Sequence, residues 1–86
     1  MNDLMEKVRS VNNQKSMAKF VSELADSFAE NPDDWVNNDL ESFLYALSAW
    51  IEDMDGYYKN TGQLYDEKDI AWKNFADMLA AATMYE

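Results

Sequence analysis

The chain has no cysteine and no histidine in its 86 residues. Disulfides, Cys/His zinc sites, haem ligation, thiol nucleophiles and imidazole acid–base chemistry are therefore excluded. Carboxylates, lysines, tyrosines and hydroxyls remain as the reactive groups. Proline occurs once and glycine twice. No apolar run approaches the roughly 20 residues needed to span a bilayer. The start, Met1-Asn2-Asp3-Leu4-Met5-Glu6, lacks the basic region and apolar stretch of a secretory signal, so cytoplasmic residence is the expectation.

Set against these absences, 48 % of the residues are hydrophobic and 14 % aromatic, which is too apolar for a disordered chain. The length fits one domain over residues 1–86. A domain of this size hides only about 60–65 % of the surface its unfolded chain exposes, so the aromatic rings must supply much of the burial.

The net charge of −10 is unevenly laid out. Residues 1–22 are slightly basic, through Lys7, Arg9, Lys15 and Lys19. Residues 23–55 hold Glu23, Asp26, Glu30, Asp33, Asp34, Asp39, Glu41, Glu52, Asp53 and Asp55 with no base at all. Nucleic-acid phosphate is a poor ligand for such a region, because binding it requires dense Lys and Arg. A basic protein partner is the electrostatic expectation. The plainer alternative is a solvated acidic face that aids solubility.

Helical spacing runs through the chain. Leu4, Met5, Val8 and Val11 predict a short first helix over 3–10. From Gln14 to Glu30, Met17, Phe20, Val21, Leu24 and Phe28 form one amphipathic face, with Asn13 as N-cap and Asn31-Pro32 as the stop. Residues 31–37 read as an acidic loop around Trp35. Asn38 with Glu41 three positions on reads as a start signal. The helix that follows carries Leu40, Phe43, Leu44, Leu47, Trp50, Ile51 and Met54. Gly56 reads as its left-handed cap and Gly62 as a turn in the loop 57–65. A last helix starting near Asp66 or Asp69 carries Trp72, Phe75, Ala76, Leu79 and Ala82. No segment alternates long enough for a strand. The fold class is all-α, a single bundle of three main helices and a short N-terminal one. Trp50, Trp72, Phe20, Phe43 and Phe75 are expected in its core.

Chemical motifs are sparse. Asp53-Met54-Asp55-Gly56 hints at a calcium loop, but placing Gly56 at the required sixth position puts Ile51 at the first and Gly62 at the twelfth, where carboxylates are needed. No metal and no cofactor is expected. Asp33/Asp34 and Glu52/Asp55 could pair as general acid and base, yet hydrolysis also needs a cleft and a polarising group, so an enzyme is not the expectation. Trp35 and Tyr58 are candidate interface anchors, with folding back onto the core as the alternative. The aliphatic and methionine stripe could pair two copies of the chain.

Trp35-x-Asn37, Leu40-x-x-Phe43-Leu44-x-Ala46, Trp50-Ile51-Glu52-Asp53-Met54-Asp55-Gly56-Tyr57-Tyr58-x-Asn60 and Trp72-x-x-Phe75-Ala76-x-x-Leu79-x-Ala81-Ala82-x-x-Tyr85-Glu86 together resemble a family of small bacterial proteins. It is a domain family of unknown function, and the resemblance spans essentially the whole chain. Tyr65-Asp66-Glu67-Lys68-Asp69 departs from it, replacing a proline-bearing segment. The resemblance implies a compact domain and brings no activity with it. In character, small acidic domains of this kind are similar to immunity proteins, which neutralise toxins. The expectation is thus a non-enzymatic immunity protein that covers the active-site cleft of a basic bacterial toxin, a nuclease of a contact-dependent or polymorphic toxin system. Asp26, Glu30, Asp33, Asp34, Asp39, Glu52, Asp53 and Asp55 are its expected charged contacts, with Trp35 and Tyr58 as anchors. The alternative is a cytosolic adaptor or regulatory domain, with a homodimer as one form of it.

Overall fold

The computed structural model describes residues 3–85, the side chains of Asp3 and Met5 excepted. The side chain of Met5, expected on the first apolar stripe, and Glu86, the end of the quoted signature, lie outside what is described. Among the described residues four α-helices follow one another: α1 (Asp3–Val8), α2 (Gln14–Glu30), α3 (Leu40–Asn60) and α4 (Trp72–Ala82). One turn of 3-10 helix, Pro32–Asp34, lies between α2 and α3. The architecture is an all-α bundle of three main helices and a short N-terminal one, as its spacing predicts.

The helix ends are set by side chains. Asn13 caps α2: its Oδ1 accepts from the Ser16 amide at 2.8 Å, and Ser16 Oγ accepts in return from the Asn13 amide at 3.0 Å. Pro32 stops α2, since it has no amide to continue the ladder. The cap of α3 lies one residue beyond the expected Asn38. Asp39 accepts from the Ser42 amide at 2.8 Å and from its hydroxyl at 2.9 Å. These two bonds hold the Asp39 carboxyl below its usual range.

Three further boundaries differ from those the spacing predicts. The first helix stops at Val8 rather than continuing to Ser10. Helix α3 runs straight through Gly56 to Asn60, so Gly56 is an interior residue and residues 51–60 are no calcium loop. The left-handed glycine is Gly62, at φ +69°. Helix α4 starts at Trp72, well after Asp66 and Asp69. Asp66 spends its carboxylate locally, accepting from the Lys68 amide at 2.9 Å in a turn, while Asn74 accepts from the Ala71 amide at 3.0 Å at the true helix start.

Helix α4 is the centre of the bundle, touching α1, α2 and α3, whereas α2 and α3 do not approach each other directly. On one side of α4, Ala76 and Ala80 meet Leu4, Val8, Val11, Phe20 and Leu24 from α1, α2 and their connection. On another, Trp50, Met54 and Tyr58 of α3 pack with Met78, Ala81 and Tyr85. Alanines on α4 let the flanking helices approach closely. Phe20, wholly buried, contributes about 1.5–3 kcal/mol by leaving water. The expected core membership of Trp72 and Phe75 is corrected: both are 42 % exposed, because none of the described residues covers the side of α4 between α2 and α3.

Candidate functional site

A hollow of about 690 Å³ opens between the C-terminal half of α2, the start of the chain and the segment after α4. Glu23, Asp26 and Glu30 line it from α2, where spacings of three and four residues put them on one helical face. The 3-10 turn adds Asp34, and Trp35 forms part of the wall. Among the described residues Lys7 is the single base in the lining, and it pairs with Glu23 at 3.1 Å. Four carboxylates against one ammonium make the cleft acidic, and partial enclosure by protein strengthens its field.

Trp35 is half-buried, and it folds back onto the core while part of it lines the cleft. It packs on the core, standing edge-on to Phe28 at 5.1 Å and stacked on Phe43 at 5.7 Å. It thereby bridges α2 and α3, which do not otherwise meet. Its indole N–H donates to Ser27 Oγ at 3.3 Å, leaving another part of the ring facing the cleft.

Among the expected contacts, Asp26, Glu30, Asp34 and Trp35 thus come together. Asp33 is exposed on the adjoining 3-10 turn without lining the cleft. Asp39 is engaged in capping. Glu52, Asp53 and Asp55 are exposed on α3, which α4 separates from the acidic face of α2, and Asp53 accepts from the Tyr85 hydroxyl at 2.5 Å. That bond, ahead of any burial, raises the Tyr85 pKa. The sequence reading passed over Glu23 and Ser27 as site residues. The 23, 26, 27, 30 spacing on a helix already so assigned was the signal that would have found them.

Tyr58 is the clear correction. It is 1 % exposed and cannot be a surface anchor. Its hydroxyl donates to Asp77 Oδ2 at 2.5 Å, and Lys73 Nζ reaches the same oxygen at 3.1 Å and Gln63 Oε1 at 2.7 Å. Asp77 is itself only 3 % exposed. Burial first, and the Asp77 hydrogen bond second, push the Tyr58 pKa far up. Tyr65 stacks on its ring at 4.9 Å, so the aromatic residues of the second loop fold onto the core. This network ties α3 to α4.

Residues 13–86 match the model of a family of unknown function, DUF7660. The chain belongs to this family. No curated protein and no solved structure matches it. The DUF7660 match begins at Asn13, the cap of α2, so it takes in the three main helices and leaves α1 outside. Within the matched region, Asn37 has a structural role that explains its place beside Trp35. Its side-chain amide donates to the carbonyls of Ala82 at 2.9 Å and Tyr85 at 2.8 Å, and its backbone amide donates to Thr83 at 3.0 Å. In this DUF7660 member the 31–39 connection is thereby latched to the end of α4, and the cleft's two walls are held together.

Proposed function

We propose that this DUF7660 protein is a non-enzymatic immunity protein that acts in the bacterial cytoplasm and neutralises a basic toxin, a nuclease domain of the contact-dependent or polymorphic kind. One observation carries the reading: Asp26, Glu30 and Asp34 converge with Glu23 on a cleft that has the Trp35 ring in its wall. A basic segment of the toxin would seat its Lys or Arg side chains among these carboxylates and its apolar part against the indole. A nuclease site is basic because it must attract phosphate, so a surface of opposite sign competes directly with its substrate. Electrostatic steering would make capture fast, and Trp35 would slow release.

The test is affinity capture from the native organism at low and high salt, followed by kinetics with the partner recovered. One basic toxin domain, held at low salt and weakened at high salt, is the expected result. Replacing Asp26, Glu30 and Asp34 by their amides should then lower the association rate about tenfold at low salt and flatten its salt dependence. Recovery of no basic partner refutes the reading, and unchanged kinetics in the amide variant removes the cleft from it.

A further inference from the structure

The acidic cleft already holds one cation, and the chain itself supplies it. Lys7 Nζ sits on Glu23 Oε2 at 3.1 Å, reaching it from α1, a different element from the one that carries the carboxylate. Its placement is built in. Leu4, Val8 and Val11 are buried with Phe20, Leu24, Ala76 and Ala80, which fixes α1 against α2 and α4. Leu4 and Lys7, three residues apart on one side of α1, both line the cleft. Only the end of the side chain is loose: Lys7 and Glu23 are 41 % and 31 % exposed in their side chains. A pair so exposed is weakly held, and a competing cation can part it.

The other carboxylates of the cleft differ. Among the described residues, Asp26, Glu30 and Asp34 have neither an ion pair nor a side-chain hydrogen bond. Lys15 and Lys19 share their face of α2, nearer its start, but do not line the cleft. Glu30 stands about 10 Å along α2 from Glu23, and Asp34 and Trp35 follow at that end. The pairing therefore neutralises the Glu23 end and leaves the uncompensated charge at the Trp35 end. The geometry points to Lys7 as an internal competitor: it occupies Glu23 against a basic partner and directs the partner's cation to Asp26, Glu30 and Asp34. The inference rests on the reading of the cleft as a seat for basic side chains, and adds how its occupancy is limited. Displacing Lys7 frees a fourth carboxylate, so a segment with several cations gains one contact more than the resting cleft offers. The carboxylates and Trp35 lie within the residues 13–86 that match the family, and Lys7 lies outside them.

The experiment titrates an acetylated hexa-arginine peptide into the full chain and follows amide and indole N–H chemical shifts, with circular dichroism to verify folding. In the wild type the shifts should centre on Asp26, Glu30, Asp34 and the Trp35 indole. Lys7→Gln should extend them to Glu23 and tighten binding about fivefold. Lys7→Arg keeps the pair and should behave as the wild type does. Lys15→Gln makes the same change of net charge outside the cleft, and should tighten binding by less than about twofold. Glu23→Gln removes the contested carboxylate, so adding Lys7→Gln to it should bring no more than Lys15→Gln brings. A Lys7→Gln gain no larger than that of Lys15→Gln overturns the inference, as does a gain that survives in Glu23→Gln. Either result leaves the reading of the cleft standing. Peptide that binds no variant, or shifts only residues away from the cleft, overturns that reading and the internal competitor with it.

Discussion

Tyr58→Phe removes one oxygen from the tie between α3 and α4 and leaves the ring in place. The deleted hydroxyl makes a 2.5 Å bond to a carboxylate that is almost wholly buried. Hydrogen bonds to charged groups are worth about 1.5–3 kcal/mol. Because Lys73 still reaches Asp77, the middle of that range, about 2 kcal/mol, is the expected loss. A domain of this length has a total stability of about 4–13 kcal/mol, so one atom carries a sizeable share. The midpoint of thermal unfolding should fall by about 8–16 °C. Urea unfolding followed by circular dichroism should show a lower midpoint with an unchanged slope. The pH dependence gives an independent check with a fixed sign. The folded protein holds the Tyr58 proton above the ordinary range, while the unfolded chain releases it near about pH 10. Above that pH the unfolded state binds fewer protons than the folded one, so wild-type stability must fall as pH rises. Tyr58→Phe should flatten that alkaline decline without abolishing it, because Tyr85 shifts in the same direction. A loss below about 0.5 kcal/mol, or an alkaline limb identical to wild type, would refute the account of this network.

Other outcomes follow from single positions. Gly56 sits inside α3 with nothing within 4 Å of an added Cβ, so Gly56→Ala should stabilise the protein by about 0.5–1 kcal/mol, read as a higher unfolding midpoint. Gly62→Ala should lower that midpoint instead, because the positive φ strains any other residue. Asn37→Ala strips the carbonyls of Ala82 and Tyr85 of their donor and should destabilise by about 1–3 kcal/mol, with faster amide exchange at the end of α4.

What could be read in the sequence was whatever repeats along a helix or stops one. The apolar steps of α2, its Asn13 cap and its end at Pro32 are local, and the structure has them where the spacing puts them. Gly56 misled because glycine ends helices more often than it interrupts them. Here the apolar stripe of α3 continues past it to Tyr58, and the gain from burying that residue outweighs the poor propensity. Asp66 and Asp69 looked like starts for the same local reason, but the helix begins at Trp72, where Asn74 accepts from the Ala71 amide. The acids divided by helical face, which a linear charge count does not show. Asp26 and Glu30 share a cleft with Asp34, and the acids of α3 lie elsewhere. The burial of Tyr58 depends on Asp77, nineteen residues further on. No local pattern carries that pairing. The exposure of Trp72 and Phe75 was hidden too, since apolar residues at helical spacing read as enclosed when the positions of the neighbouring helices are unknown.

The central place of α4 bears on how the protein is made. Helices α1, α2 and α3 leave the ribosome before the element on which all three pack, and the backbones of α2 and α3 do not approach each other. The apolar contacts that these helices make with α4 therefore form only once the stretch from Trp72 to Ala82 emerges. The clustering of acids in residues 23–55 then does its work before any partner is met. Like charges keep nascent copies apart during the interval in which their greasy faces have nothing yet to cover them.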